Sequence, residues 1–483
     1  MKKRFTKLCV LTLVFMLLAS SLTVFAQPKI NEILPSEDFS IPVGLEVNWN
    51  ERHTFEDFEE LIDKLAEKYP QYSEKYSIGT SYQEKDLWCL EITNENKKSD
   101  KKIGIGVFAN IHGGEQESAE SAMYTAWWFL LNSSDEYVQN ILDNYIIYVV
   151  PVINPDGYVQ SFIYNNRQNL RPTDRNNDGI PFSDPYTDIN GDGFIANIYK
   201  GTNDGKVGKS IGMESLDWDE NGKLGDDPRS SMIDLNRTFD YQWNRYDIEK
   251  KNDGLKEIGA NAWNSAGPAP ASEKEVQAVQ NFLYAKPMNA LVTLHTGIQC
   301  VLYPWCYRDY DDTNPKDKDI PFMAEIAEKM ADVYMDSTGR NFYSMSSHQD
   351  YSTSAELIDF AFGRLNIHAY TIEVYSGGKA KEGANFIESC TWNNELPQQT
   401  EVFYNKNELK GLGLSSDTIS KLELSEDEGL WFVNTDRAQM SGKAPEDQST
   451  MVKGCKDSIL IMIESESYGE GYKLPEYINW KMD

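Results

Sequence analysis

The sequence predicts an α/β fold in which a β-sheet carries crossover helices. Three observations point to it. Residues 103–109 are a short, nearly continuous apolar run, read as a strand. A long helical pattern follows over 115–131, and then a second apolar run over 145–152. Strand, helix, strand in this order is the unit of a crossover in an α/β sheet.

The remaining elements follow the same logic. Upstream, 54–69 places Phe55, Phe58, Leu61, Ile62, Leu65 and Tyr69 at helical spacing, and Pro70 stops the helix. Residues 87–93 alternate as a strand. Ser272-Glu-Lys-Glu275 predicts a capping box that opens a helix to about Tyr284. Strands are predicted over 290–295, 301–303 and 369–374, and a helix over 321–335. Residues 159–233 differ. They are rich in Asp, Asn and Gly and have no periodicity. So long an irregular stretch within a domain is functional or is held by something else. After about residue 400 the pattern weakens, apart from a strand-like 458–463.

Composition narrows the function. The chain has 483 residues, 40% of them hydrophobic and 12% aromatic, which excludes a mainly disordered chain. Its formal net charge is −30. Such a surface repels phosphate backbones and anionic membranes, so no nucleic-acid partner is expected. It attracts cations. Lys2, Lys3, Arg4 and Lys7 precede an apolar run over 8–18, and small residues follow up to Ala26. That is the layout of a secretory signal peptide over 1–26, with cleavage expected after Ala26 and no membrane contact afterwards. Cys89, Cys300, Cys306, Cys390 and Cys455 then remain, too few for a disulfide scaffold. Cys300 and Cys306 are either a pair or two buried thiols. No Cys-x-x-Cys occurs, so no zinc ribbon is expected.

Five histidines are present. His112-Gly-Gly-Glu115 directly follows the 103–109 strand, and His295 ends another. Strand ends are where open α/β sheets place their sites. Two His and one Glu, with a fourth position open, is a catalytic zinc arrangement. Further segments lie in order along the chain: Asn154-Pro-Asp-Gly-Tyr158, Asp234-Leu-Asn236-Arg237, Gly267-Pro-Ala-Pro-Ala-Ser272-Glu273, Tyr303-Pro304 after His295, then Tyr351, and Glu373 in Tyr-Thr-Ile-Glu-Val.

Together, over roughly residues 46–380, these segments resemble the carboxypeptidase A-like zinc carboxypeptidase family. The resemblance implies a mixed central β-sheet flanked by helices on both faces, within a catalytic domain over 46–400 that carries the 159–233 insertion. It implies zinc held by His112, Glu115 and His295. Glu373 matches the general base that activates water at the metal, and Arg171 matches the arginine that steadies the oxyanion. Asn236 and Arg237 match the pair that grips a substrate's terminal carboxylate, and Tyr351 the tyrosine that closes over it. The implied partner is a peptide or protein with a free C-terminus.

Departures are visible. Arg167 and Arg171 lie four apart, one more than the usual pattern. Gly114 replaces an arginine, and Gly297 a tyrosine. The end of the chain does not resemble the family's final helix, so 401–483 are unassigned. No long propeptide follows the signal, so zymogen activation is not expected. Counting along the chain, the base of the substrate pocket falls at Ile358 and a second charge-bearing position at Cys306. Neither is acidic, which predicts an apolar or aromatic terminal residue. Glu356 is the exception to weigh, read as a solvated loop carboxylate or as a partner for Lys or Arg.

The insertion repeats one spacing: Asp174-x-Asn176-x-Asp178-Gly179, Asp188-x-Asn190-x-Asp192-Gly193 and Asp217-x-Asp219-x-Asn221-Gly222. Oxygen ligands at positions 1, 3 and 5, with Gly at 6, are a calcium-loop signature. None has Glu at position 12; Asp184 and Asp227 fall at position 11 of the first and third loops. Calcium would neutralise clustered carboxylates and order a segment expected to lack a core. Two alternatives to the peptidase reading are an enzyme acting on cell-wall peptides or amide conjugates, and a calcium-dependent binding protein with a dead catalytic domain.

Overall fold

The computed structural model describes residues 39–97, 101–164, 166–244, 266–376, 385–390, 400–434, 445 and 447–466. The predicted signal segment lies outside the described residues.

Eight strands form one mixed sheet: β1 (Ser73–Thr80), β2 (Asp86–Ile92), β3 (Ile103–Ala109), β4 (Tyr145–Val150), β7 (Ala290–His295), β8 (Cys300–Tyr303), β9 (Tyr343–Ser346) and β10 (His368–Glu373). Their order is β1-β2-β4-β3-β7-β10-β8-β9. The four central strands β4, β3, β7 and β10 run parallel. They are almost wholly buried, which is why they read as unbroken apolar runs. The antiparallel pairs lie towards the edges.

Helices cover both faces. Gln116–Leu131 is buried along its whole length and packs with Gln448–Glu466, which packs in turn with Ile320–Thr338. Lys274–Ala285 and Leu357–Leu365 meet through the Tyr284–Phe360 ring contact on the other face. Phe55–Lys68 is held by a capping box between Thr54 and Asp57, and its buried stripe is Phe55, Phe58, Leu61, Ile62 and Leu65. The expected box at Ser272 does not form. Glu273 is the N-cap, without a side-chain cap bond, and the Ser272 hydroxyl donates to Glu273 Oε1.

The 458–463 run is helical, within Gln448–Glu466. Residues 459–463 are consecutively apolar, and such a run does not by itself distinguish strand from helix. The helix is packed on two others, so it is buried on most sides.

The insertion has a core, contrary to expectation. It contributes β5 (Asn197–Thr202) and β6 (Lys206–Met213), which join β11 (Thr400–Asn405) and β12 (Glu428–Asn434) in a second sheet of order β11-β12-β5-β6. Ala196, Ile198 and Leu224 of the insertion pack with Leu409, Ile419, Leu430 and Phe432. The strands could not be read from 159–233 because their apolar partners lie beyond residue 400. The described cysteines are free and buried, so Cys300 and Cys306 do not pair.

Candidate active site

Parallel strands end on one edge of the sheet, and the site is built there. Glu373 and His295 are register partners at the ends of β10 and β7. Next door, β3 ends at Ala109, and Asn110 turns the chain with φ +53°. Asn110 Nδ2 donates to the carbonyls of His112, Gly113 and Glu115, each at 3.1 Å, and so holds the turn. Gly113 has to be glycine, because a Cβ there would lie 2.3 Å from the Gly157 backbone.

This turn brings three donors together. His112 Nδ1 is 2.8 Å from Glu115 Oε1 and 3.2 Å from His295 Nδ1, and His295 Nδ1 is 3.1 Å from Glu115 Oε2. Two tetrahedral zinc ligands at ordinary bond lengths would be about 3.3 Å apart. The donor set therefore fits zinc in type and spacing. The far side of each ring is also fixed. His112 Nε2 meets Asp234 Oδ1 at 3.1 Å, and His295 Nε2 meets Thr293 Oγ1 at 3.2 Å. Asp234 is fully buried. Burial opposes its ionisation, but Arg167 and His112 hold its carboxyl well below the usual range. A carboxylate behind a ligating imidazole sets its tautomer and leaves Nδ1 free for metal.

Arg167, not Arg171, stands at this cluster. Its Nε donates to Asp234 Oδ2 at 2.7 Å, and Nη1 is 3.6 Å from Glu115 Oε1. Arg171 is turned away onto Glu273, 3.1 Å off. Glu373 Oε2 is out of solvent and without a hydrogen-bond partner. Burial, then Glu115 and Asp350, hold its carboxyl well above the usual value, and Arg167 opposes them. A cation among His112, Glu115 and His295 would act in the same sense as Arg167.

Asn236 and Arg237, both buried, follow Asp234 in a single 3-10 turn. Asn236 Oδ1 accepts from Leu357 N at 2.9 Å. Arg237 Nη2 donates to the Tyr351 hydroxyl at 3.1 Å, and Nη1 lies 3.0 Å from Glu356 Oε1. Arg237 Nε is buried without a partner. Tyr351 itself is 44% exposed, at the mouth of this group.

A sequence profile of zinc carboxypeptidases matches residues 58–394. The chain belongs to the zinc carboxypeptidase family. It is 23% identical to human mast cell carboxypeptidase A over 324 residues, which cover 66% of this chain and 61% of that protein. Carboxypeptidase B of the crayfish Astacus astacus is 24% identical over 336 residues, covering 69% and 89%. Among solved structures, carboxypeptidase A of Helicoverpa armigera aligns with a TM-score of 0.49 at 16% identity, covering 78% of this chain and 73% of that one. No described helix of this zinc carboxypeptidase is long and apolar enough to cross a membrane.

The family resemblance pointed to Ile358 and Cys306 for the pocket, and both are buried. Glu356 is not a solvated loop carboxylate. It is 7% exposed, paired with Arg237, and receives the Thr353 hydroxyl and the Cys306 thiol. Asp359, fully buried, accepts from Cys306 N at 2.9 Å, and burial followed by Glu356 pushes its carboxyl up to about 7.

Sequence reasoning gave no role to Asp234 or Arg167. The available signal was the Asp two residues before Asn236 and the irregular arginine spacing.

In the insertion, Gly179, Gly193 and Gly222 have φ of +88°, +90° and +91°, the left-handed turn that position 6 demands. Asp174 accepts from Asp178 N and Gly179 N, and Asp188 from Gly191 N, Asp192 N and Gly193 N. Asp217 accepts from Gly222 N. Each loop gathers an acid from outside it. Asp227 joins Asp174 and Asp178, Glu214 joins Asp188 and Asp192, and Asp184 joins Asp219 and Asp226.

Proposed function

We propose that the chain is a secreted zinc carboxypeptidase that hydrolyses the C-terminal peptide bond of peptides or proteins. The observation that carries this is the convergence of His112, Glu115 and His295 beside Glu373, with Arg237 buried close by. When bound, zinc supplies a Lewis acid and an acidified water. Glu373 takes the proton of the attacking water and delivers it to the leaving amine. Arg167, already at the cluster, takes the oxyanion role that the family resemblance gave to Arg171. Asn236 and Arg237 hold the terminal carboxylate, Arg237 offering its planar fork, and Tyr351 closes over it.

The terminal side chain is apolar or aromatic in this reading. Glu356 is paired with Arg237, and burial raises the Asp359 carboxyl to about 7, so neither offers a full, free counter-charge to a Lys or Arg. Calcium in the insertion loops is a structural cofactor. The three repeats of the loop spacing and their left-handed glycines support it.

The test pairs a peptide bearing a free C-terminus with its amidated twin, using zinc-loaded protein. Release of the last residue from the free peptide alone is expected. Equal cleavage of both, or of neither, rejects the carboxypeptidase reading.

A further inference from the structure

Calcium loops normally close on themselves: one stretch of twelve residues supplies the ligands of one ion. The first and third loops are not arranged that way. Asp184, at position 11 of the first loop, lies with Asp219 and Asp226 of the third. Asp227, at position 11 of the third, lies with Asp174 and Asp178 of the first. Asp184 and Asp227 face each other in an isolated antiparallel bridge, which holds the two loop segments side by side.

The third-loop cluster also carries unmet demand. Asp184 is fully buried; its Oδ1 accepts from Ser215, and its Oδ2 has no hydrogen-bond partner. Asp217 Oδ1 and Asp226 Oδ1 are likewise out of solvent and unpartnered. Ligand oxygens of Asp184, Asp219 and Asp226 lie within 4.8 Å of one another. Opposite ligands of one calcium ion are about 4.6–5.2 Å apart, so a single ion can reach all three. Amide groups now sit among these carboxylates. Asn221 Nδ2 donates to Asp219 Oδ2 and Asp226 Oδ2, and Asn176 Nδ2 to Asp219 Oδ2. Turned over, the same amides present oxygens. Lys223, on the surface, is 3.8 Å from Asp226. The remaining contact points outward: Asp217 Oδ2 accepts from Thr418 Oγ1 at 3.0 Å, in the short helix Ser416–Lys421.

We infer that Asp184, Asp217, Asp219 and Asp226 form one calcium site, closed by the acid that the linear pattern assigns to a different loop. Burying unpaired carboxylate oxygens is costly, and a divalent cation bound by all of them removes that cost. The first loop completes itself in the same way with Asp227, so the two loops are cross-closed through the 184–227 bridge. The ion also sits one hydrogen bond from the C-terminal segment, through Asp217 and Thr418. This rests on the reading of the insertion as a calcium-binding segment and is independent of the peptidase chemistry.

Trp218 lies between Asp217 and Asp219 and is exposed, so it can sensitise terbium bound at this loop. Zinc-loaded protein is titrated with Tb3+, Trp-excited emission is recorded, and Ca2+ is added to displace it; Trp218→Phe identifies the third-loop signal. Cross-closure predicts that Asp184→Asn and Asp226→Asn each weaken Tb3+ and Ca2+ binding at this signal by about tenfold or more, while Asp227→Asn leaves it within about twofold. The opposite pattern, with Asp227→Asn abolishing the signal and Asp184→Asn sparing it, keeps calcium loops but overturns cross-closure. No saturable, calcium-displaceable Trp218 signal in the wild type overturns the site itself. Asp226 is only half-buried, so Asp226→Asn decides the matter if Asp184→Asn does not fold. Hydrolysis of the free-terminus peptide, measured on the same samples, tests the peptidase reading separately.

Discussion

Asp234→Asn changes one oxygen to an amide nitrogen at the centre of three contacts, and its effect can be worked out atom by atom. Asp234 Oδ1 accepts from His112 Nε2 at 3.1 Å and from Asn236 N at 2.9 Å. Oδ2 accepts from Arg167 Nε at 2.7 Å. An asparagine amide has one acceptor and one donor end. If the nitrogen faces Arg167, two donors oppose each other and a buried guanidinium loses its counter-charge. If it faces His112, the ring must accept at Nε2 and carry its proton on Nδ1. That proton occupies the lone pair that faces Glu115 and His295. The first case loses Arg167 from the site and the second loses the His112 lone pair, while side-chain volume is kept. Loss of such a partner typically costs 10–100-fold in metal affinity, or about 1.4–2.7 kcal/mol. Zinc competition against a chelator of known affinity measures the first quantity. Peptide kcat/KM at saturating zinc then isolates the effect on Arg167. Zinc affinity and kcat/KM both within about twofold of wild type would refute the role given to Asp234.

Glu373→Gln is expected to keep zinc and to lower kcat by ~10²-fold or more, because Glu373 is a proton carrier outside the ligand set. Zinc analysis beside kinetics checks it; metal lost with the glutamate would make Glu373 a ligand. His295→Ala is expected to lose zinc and turnover together. Calcium at 100 times its Kd should stabilise zinc-loaded protein by roughly 2.7 kcal/mol, visible as a higher Tm, and an unchanged melting curve counts against calcium loops. On matched peptides ending in Phe, Leu, Lys and Arg, kcat/KM should favour Phe and Leu. A Lys or Arg preference that vanishes in Glu356→Gln would show that Glu356 serves the substrate rather than Arg237.

The catalytic core was legible because it is written in local patterns. The runs that became β3, β7 and β10 are buried on both faces, so each is largely apolar, and His112, Glu115, His295 and Glu373 sit at or just beyond strand ends. What escaped was set by contacts between distant segments. Arg171 matched the expected motif only imperfectly, and the backbone around Asn166 and Arg167 is pinned to Gly113 and Gly114. That pinning delivers Arg167 to the cluster and leaves Arg171 beside Glu273. Glu356 looked like a loop carboxylate because nothing nearby in sequence announces Arg237, whose partner it is. The strands of the insertion were hidden for the same reason, since half of their sheet comes from residues 400–434.

That second sheet has a consequence for the order in which the molecule can be made. β5 hydrogen-bonds β6 on one side and β12 on the other. The Trp431 indole bonds the Thr202 carbonyl across 229 residues of sequence. During synthesis the β5–β6 hairpin emerges long before β12 exists. Until then β5 offers an open hydrogen-bonding edge, the kind of surface that captures stray strands. The insertion is therefore sealed only after every strand of the main sheet has been made, and pairing over so long a separation is slow. A nascent chain halted before Thr400 would hold every strand of the eight-stranded sheet together with His112, Glu115 and His295, yet would still carry β5 bare to any protease or neighbouring strand it met.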